Sequence, residues 1–97
     1  MGYYLEIGEE DYSYTYNVSA MWYDCFPHKG IRIIYGLTGQ EALLKLRAIR
    51  THMEDHAERL KELEPANGWG SFYGALGFIN KLIVASMEHP HETWAGD

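Results

Sequence analysis

Residues 65–71 read PANGWGS, and they interrupt two long helical patterns. Pro65 is typical of the position just beyond a helix end, because its ring cannot continue a helix. Gly68 and Gly70 provide two positions where the chain can turn tightly without steric cost. Since the interruption is short, the helices on either side of it are predicted to be antiparallel neighbours.

Trp69, between the two glycines, is the unexpected residue of this connector. A connector between helices needs polar residues and a permissive backbone, whereas an indole is large and mostly apolar. Either the connector folds back so that Trp69 caps the core, or it presents Trp69 on a recognition surface. We expect the first arrangement, because satellite hydrophobic clusters under loops are common.

The helix before the connector is predicted to begin at Thr38 and to end near Leu63. Thr38 and Glu41 match the T-x-x-E capping box, in which each side chain accepts a hydrogen bond from the main-chain amide of the other residue. The apolar side chains that follow recur at steps of three and four residues, which gives the helix one buried face. They are Ala42, Leu46, Ile49, Met53, Ala57 and Leu60.

The helix after the connector is predicted over residues 71–88, with Ser71 as its N-cap and a proline just beyond its end. Its apolar face consists of Phe72, Leu76, Ile79, Leu82, Ile83 and Met87. Gly74 and Gly77 each destabilise a helix interior by about 1 kcal/mol relative to alanine. We therefore expect the sheet or the first helix to pack closely against both glycines.

The first 19 residues predict a β-hairpin. Apolar and polar side chains alternate from Tyr3 to Ile7 and again from Tyr12 to Val18, and this period of two indicates strands with one buried face. A polar turn over residues 8–11 joins the two strands.

Three shorter segments complete the chain. Ser19 is predicted to cap a short helix over residues 20–26, which Pro27 ends. Residues 30–36 form an apolar run between glycines, and this run fits either a short strand or a single helical turn. Residues 92–95 predict a short third strand.

Burying these faces gives an α+β fold, in which an N-terminal antiparallel β-hairpin packs on two long antiparallel helices. The third short strand, from the C-terminal segment, would join the hairpin. The chain has 97 residues, of which 46% are hydrophobic, and this fits a single globular domain over residues 1–97.

The formal net charge of −6 argues against direct binding to nucleic acids, whose phosphates require clustered lysine and arginine. It fits a basic protein partner better. Cys25 is the only cysteine, so no intramolecular disulfide forms, and a reducing compartment is expected. We find no signal peptide and no apolar stretch of about 20 residues, so we expect a cytoplasmic location and no membrane partner.

His52 and His56 share a face of the first long helix, at a spacing that suits a pair of metal ligands. The segment between them reads HMEDH, which is not the H-E-x-x-H motif, and no third ligand is specified. We therefore interpret both histidines as part of a solvated helix flank and predict no metal site.

Two further candidate sites, one for nucleophilic catalysis and one for phosphate binding, have weaker support in the sequence. Cys25 near His28 lacks a third group that would orient a base, so Cys25 is interpreted as a small buried side chain. Residues 36–39 precede a helix N-terminus, where amides favour anions, and Arg32 with the Gly39 amide would then be the phosphate ligands. A structural cap is the favoured interpretation. We predict no catalytic residues and no cofactor, and we do not expect an enzyme.

The chain contains eight tyrosines and three tryptophans, which are typical anchors of protein interfaces and also ordinary core residues of a small domain. We favour the core for most of them. Those considered are Tyr12, Tyr14, Tyr16, Trp22, Tyr23, Tyr35, Trp69, Tyr73 and Trp94.

The segments 17–19 (NVS) and 65–72 (PANGWGSF) resemble a family of small proteins, many of them encoded by phages or prophages. Its members carry N-[VI]-[TS] near the start and N-G-W-G-[ST]-[YF] between two helices, and the resemblance covers nearly the whole chain. Members often continue into a second asparagine, whereas this chain has Ala20-Met21-Trp22. The resemblance implies a small accessory gene product of the bacterial cytoplasm, and such products often bind host or defence proteins.

The sequence therefore predicts a non-enzymatic protein that binds, and inhibits or modulates, a host or defence protein. The alternatives are a small-ligand or nucleotide-binding module and, less favoured, a metal-dependent enzyme. The sequence is also compatible with a homodimer, in which the partner is a second copy of this chain. The predicted binding residues are Asn17, Ser19, Trp22, Asn67, Gly68, Trp69, Gly70 and Tyr73.

Overall fold

Two antiparallel strands form where polar and apolar side chains alternate at the start of the chain. The computed structural model describes residues 2–97. Strand β1 spans Gly2–Ile7 and strand β2 spans Glu10–Thr15. Tyr3 and Leu5 are buried and Tyr4 is exposed, as the alternation predicts.

The hairpin turn is tighter, and the second strand shorter, than predicted. Only Gly8 and Glu9 join the strands, and Gly8 has a left-handed φ of 59°. β2 ends at Thr15, whose hydroxyl accepts a hydrogen bond from the Asn17 amide at 3.2 Å. The chain then turns into a 3-10 helix over Tyr16–Val18, so the predicted continuation of the strand is wrong.

Helix α1 spans Ser19–Tyr23, and a second 3-10 helix spans Gly30–Ile34. Val18 occupies the N-cap position of α1, so the predicted capping by Ser19 is wrong. The Ser19 hydroxyl instead donates to the Tyr16 carbonyl at 2.6 Å. For the apolar run between glycines, the helical alternative is the correct one.

Helix α2 spans Gly39–Asp55 and begins as predicted. The Thr38 hydroxyl accepts from the Glu41 amide, and the Glu41 carboxylate accepts from the Thr38 amide. The predicted apolar stripe is buried, apart from the half-buried Ala57.

The first long helix is divided, which the sequence does not predict. α2 ends at Asp55, and helix α3 follows over Ala57–Lys61. His56 leaves the helical conformation, with φ −119° and ψ 26°. The prediction of one helix to Leu63 is therefore wrong.

Helix α4 spans Phe72–Glu88, and its N-cap prediction is confirmed, because the Ser71 hydroxyl accepts from the Gly74 amide at 2.9 Å. Phe72, Ile79, Leu82 and Ile83 are buried as predicted, and Leu76 is half-buried. Met87 is exposed, so its assignment to the apolar face of this helix is wrong.

The expected close packing exists at one of the two glycines in α4. A side chain at Gly74 would collide with the Tyr14 hydroxyl, so this glycine accommodates the sheet. A Cβ at Gly77 would meet no atom within 4 Å, so the prediction of close packing is wrong there.

The elements assemble into the predicted α+β architecture. A third strand, β3, spans Ala95–Gly96 and pairs antiparallel with β1, which gives the strand order β2-β1-β3. α2 and α4 pack together and share one hydrophobic core with the sheet. Trp94 closes this core, where its indole N–H donates to the buried Ser86 hydroxyl at 2.9 Å.

Candidate functional site

The Trp69 side chain, on the connector between α3 and α4, is exposed to solvent. Gly68 and Gly70 have left-handed φ angles of 77° and 104°. Between them, the Trp69 amide donates to the Asn67 side-chain carbonyl at 2.9 Å, which fixes the turn. Trp69 is 69% exposed, so the expectation that it caps the core is wrong.

The core has no space for Trp69 because other residues fill the position beneath the connector. The backbone at Gly70 lies so close to Thr15 and Val18 that a Cβ there would approach each of their side chains to 2.8 Å. Phe72, three residues after Trp69, is 1% exposed and supplies the buried aromatic ring of this region. The indole is therefore excluded from the core and displayed.

Trp69 stands at the rim of an open cleft of about 760 Å³, which we name the aromatic cleft. The hairpin contributes one wall and the connector contributes the other. The lining residues are Gly2, Tyr3, Tyr4, Ser13, Tyr14, Thr15, Tyr16, Asn17, Asn67 and Trp69.

Three of the predicted binding residues meet in the aromatic cleft, although they are far apart in sequence. Asn17 follows the end of β2, whereas Asn67 and Trp69 belong to the connector. Asn17 is exposed, and its main-chain amide donates to the Thr15 hydroxyl. Gly68 and Gly70 do not line the cleft, but they shape the turn that carries Trp69.

The other three predicted residues lie elsewhere. Trp22 is fully buried, so it contributes to the core and not to a surface site. The Ser19 hydroxyl is already hydrogen-bonded within the fold, since it donates to the Tyr16 carbonyl and also lies 2.7 Å from the Tyr3 hydroxyl. Tyr73 is exposed on α4, with its ring centroid 4.8 Å from the Lys61 ammonium, and does not line the cleft.

Tyr4 and Tyr16 are cleft residues that the sequence reasoning did not select. Tyr4 lies on the polar face of β1, and its hydroxyl donates to the carboxylates of Glu6 and Asp11 at 3.4 and 3.3 Å. An aromatic residue on the polar face of an alternating strand was the available signal. The Tyr16 hydroxyl donates to Asp97 at 2.9 Å.

The Asp97 carboxylate organises the end of the cleft beside Tyr16. It accepts hydrogen bonds from the Tyr35 hydroxyl at 3.2 Å and from the Tyr4 amide at 3.3 Å, and it lies 3.8 Å from the Arg32 guanidinium. Burial, together with the nearby Asp97 charge, raises the pKa of Tyr35 to about 12. The tyrosine is therefore a neutral hydrogen-bond donor at physiological pH.

The phosphate cradle considered before α2 does not form. The Gly39 amide donates to the Glu92 carbonyl at 2.8 Å, and the Gln40 amide donates to the Pro90 carbonyl at 3.0 Å. Arg32 is paired with Asp97 and lies 4.8 Å over the Tyr3 ring. Both candidate phosphate ligands are therefore occupied by the protein itself.

Of the two histidines, His52 lies on α2 and takes part in an ion-pair network, whereas His56 follows the end of α2. His52 Nε2 lies 2.6 Å from a carboxylate oxygen of Asp24, and the same carboxylate accepts two hydrogen bonds from Arg59 at 2.9 and 2.8 Å. The ring centroids of His52 and His56 are 4.5 Å apart. Over residues 2–97, no group of three or more histidine, cysteine, aspartate or glutamate side chains is arranged to hold a metal ion.

Cys25 shares a surface groove with His52 and not with His28. Burial and the neighbouring Asp24 carboxylate raise the pKa of the Cys25 thiol. Because the thiolate is the nucleophilic form, these surroundings disfavour nucleophilic chemistry at Cys25.

No helix among residues 2–97 has the length and apolar character needed to cross a membrane. Comparison of the chain with family models, curated proteins and solved structures finds no match to any of them.

Proposed function

We propose that this protein acts by binding another protein through the aromatic cleft. The observation that carries the proposal is the position of Trp69, which is 69% exposed at the rim of the cleft. Tryptophan is among the residues most enriched at the energetic centres of protein interfaces. Its exposure on a fixed turn favours a role in recognition.

The connector reduces the entropic cost of this binding. The Asn67 side chain bonds the Trp69 amide, and the two left-handed glycines define the path of the chain on either side. A residue already held in one backbone conformation loses less freedom when a partner immobilises it. The cleft wall formed by Ser13 and Thr15 belongs to a strand, so it is equally fixed.

The charge around the cleft indicates the chemistry of the partner surface. Glu6 and Asp11 lie directly opposite each other on the outer face of the sheet, and Tyr4 bonds both carboxylates. The whole chain carries a formal net charge of −6. A partner with lysine or arginine around an apolar contact would complement this surface, and opposite charges would also accelerate association.

We further propose that the partner is a host or defence protein in a bacterial cytoplasm, and that binding inhibits or modulates it. This part of the proposal depends on the resemblance of the NVS and PANGWGSF segments to small phage and prophage proteins. The acidic surface and the displayed aromatic ring are consistent with it.

The test compares tagged wild-type protein with two variants in pull-downs from bacterial lysate, with affinity for the captured protein then measured by calorimetry. Trp69→Ala is expected to weaken binding by 10-fold or more, roughly the loss of an interface anchor. Tyr73→Ala is the matched control, because Tyr73 is similarly exposed, at 68%, but lies outside the cleft. Equal affinities for wild type and Trp69→Ala, with circular dichroism unchanged, would contradict the proposal.

The second candidate is a small-ligand or nucleotide-binding module, which the size of the cleft favours. Its volume of about 760 Å³ lies within the usual range for ligand sites, roughly 300–1,000 Å³. Trp69, Tyr4 and Tyr16 offer aromatic faces for stacking. A thermal-shift screen of nucleotides and nucleosides would favour this candidate if a ligand stabilised the wild type but not Trp69→Ala.

A further inference from the structure

Asn67 is followed directly by Gly68 in an open part of the connector. Both residues are exposed, and a Cβ added at Gly68 would meet no atom of the chain within 4 Å. Exposed loop tips of small and polar residues are the parts of a fold most open to covalent attack, such as proteolytic cleavage. The main chain at Gly68 therefore has room to move against the Asn67 side chain.

The main-chain nitrogen of Gly68 is only weakly engaged by the fold. It lies 3.4 Å from the Pro65 carbonyl oxygen, beyond the usual N–H···O range of roughly 2.7–3.2 Å. Glycine also has no Cβ that would shield this nitrogen. A bond between it and the side-chain carbonyl carbon of Asn67, Cγ, closes a five-membered ring, so the chain itself holds the two reacting groups together.

The Trp69 amide is placed to stabilise this ring closure. It donates to Asn67 Oδ1 at 2.9 Å. When a nucleophile attacks Cγ, negative charge develops on Oδ1, and a fixed amide donor directed at that charge lowers the barrier. The hydrogen bond that fixes the turn thus also activates the Asn67 carboxamide.

We propose that Asn67 is a site of spontaneous covalent modification, by deamidation through the Gly68 nitrogen. This nitrogen loses its proton and bonds to Asn67 Cγ, and the Cγ–Nδ2 bond breaks as the carboxamide nitrogen takes up a proton and leaves as ammonia. Water then opens the resulting cyclic imide. Attack of water at Cγ gives aspartate, whereas attack at the main-chain carbonyl carbon of residue 67 gives isoaspartate.

The other two asparagines of the chain are in less reactive surroundings. Asn17 precedes Val18, whose branched side chain is stiff and buried, so the nitrogen that would attack is crowded. Asn80 lies inside α4, where helical hydrogen bonds hold the main chain of Lys81. We therefore expect Asn67 to react first.

Each product changes the aromatic cleft in its own way. Both add a negative charge to the wall that Asn67 and Trp69 share. In the aspartate form the carboxylate still accepts from the Trp69 amide, so the turn is kept. In the isoaspartate form the main chain runs through the side-chain methylene, which lengthens it by one carbon and moves the acceptor. The reaction does not depend on the proposed function, and only its effect on partner binding rests on that function.

Mass spectrometry with peptide mapping, during incubation of the full chain at mildly alkaline pH, tests the reaction. We expect the mass gain of OH replacing NH2 at Asn67 before any change at Asn17 or Asn80. A synthetic peptide of residues 65–71 is the reference, and Asn67 in the folded chain should react at least as fast. Reaction roughly 10-fold slower in the folded chain than in the peptide would overturn the proposal, and so would earlier reaction at either other asparagine.

Two variants test the assigned roles. Gly68→Ala should slow the reaction roughly 10-fold or more, because its Cβ hinders the nitrogen and disfavours the left-handed φ of 77°. Trp69→Ala is the matched control, since it keeps the main-chain amide and should react like the wild type. An unchanged rate in Gly68→Ala, with circular dichroism like that of the wild type, would contradict attack by this nitrogen.

The separated products test the effect on the cleft without a binding partner. The isoaspartate form is purified by ion exchange and compared with Asn67→Asp, which carries the same charge on an unaltered main chain. Hydrogen exchange at the Trp69 amide should be roughly 10-fold faster in the isoaspartate form, the equivalent of losing one hydrogen bond. Equal exchange in the two proteins would show that the turn survives and would overturn the proposed change of the cleft.

Discussion

Gly74 and Gly77 lie on the same helix, three residues apart, but their surroundings give glycine opposite effects on stability. At Gly74 the backbone lies against the Tyr14 hydroxyl, and a methyl group would displace the ring that packs on Phe78 with a centroid distance of 5.5 Å. At Gly77 there is open space. The same residue type is therefore a packing requirement at one position and a local cost to the helix at the other.

We predict that alanine substitutions at Gly74 and Gly77 change the free energy of unfolding in opposite directions. Gly74→Ala should lower the free energy of unfolding by about 1–3 kcal/mol, because overpacking forces the sheet and helix apart. Gly77→Ala should raise it by about 0.5–1 kcal/mol through helix propensity alone. Urea unfolding followed by circular dichroism, at a protein concentration of a few micromolar, would measure both. Two values of the same sign would refute the assigned environments.

At the scale of elements, Asp24 joins segments that the sequence presents as separate. It follows α1, and its carboxylate contacts His52 on α2 and Arg59 on α3. The hydrogen bond to His52, aided by the charge of Arg59, lowers the pKa of Asp24. One carboxylate therefore holds α2 and α3 in place on both sides of the break at His56.

Asp24→Ala should lower the free energy of unfolding by about 1–3 kcal/mol, the usual range for losing hydrogen bonds to charged groups. The loss should be greatest in α3, which has five residues and no capping side chain. Hydrogen exchange at residues 57–61 should accelerate more than exchange in α4. Asp55→Ala, at an exposed acid at the end of α2, is the control and should leave both quantities nearly unchanged. Uniform acceleration in α3 and α4 would argue against a local role for Asp24.

The elements that were predicted correctly are those whose signals are local in sequence. The Thr38–Glu41 capping box, the Ser71 cap and the alternation of β1 each depend on residues within one or two turns. The break at His56 has no such local signal, and the contacts of Asp24 with His52 and Arg59 on either side of it are tertiary, so no periodicity reveals them.

In the candidate site, too, the local features were predicted from the sequence and the features that depend on tertiary contacts were not. The connector at Asn67 and Trp69 was identified from its unusual composition. Its exposure was predicted wrongly, because which of the neighbouring aromatic residues Trp69 and Phe72 enters the core depends on the tertiary structure. Tyr4 was missed, because its one signal, an aromatic residue on the polar face of β1, says nothing of the cleft that the distant connector completes.

At the scale of the whole molecule, His89 links distant parts of the chain and makes stability depend on pH. Its Nδ1 lies 2.7 Å from Glu92 and its Nε2 lies 3.0 Å from Glu10 in the hairpin. Only the protonated imidazole can donate to both carboxylates, and the hydrogen bond to Glu92, followed by that to Glu10, raises the pKa of His89. Protonation therefore connects the segment after α4 to the first hairpin.

A raised pKa in the folded state fixes the sign of the pH dependence. The stability contributed by His89 is fully present below its unfolded pKa of about 6.5, and it is lost as the pH rises through the higher folded value. Wild type should therefore lose stability relative to His89→Gln over this interval in chemical denaturation at a series of pH values. His91→Gln, at an exposed neighbouring histidine, should follow the wild type. A wild-type and His89→Gln difference that does not change with pH would contradict this assignment.

The three tryptophans occupy environments that optical spectroscopy separates. Trp22 and Trp94 are 0% and 1% exposed, whereas Trp69 is 69% exposed. Soluble quenchers such as iodide reach only the exposed indole in the native state, so the quenchable part of the emission belongs to Trp69. The two protected indoles report on the integrity of the core. A single emission spectrum thus carries two signals from the same sample, one for occupancy of the aromatic cleft and one for unfolding, without an attached dye.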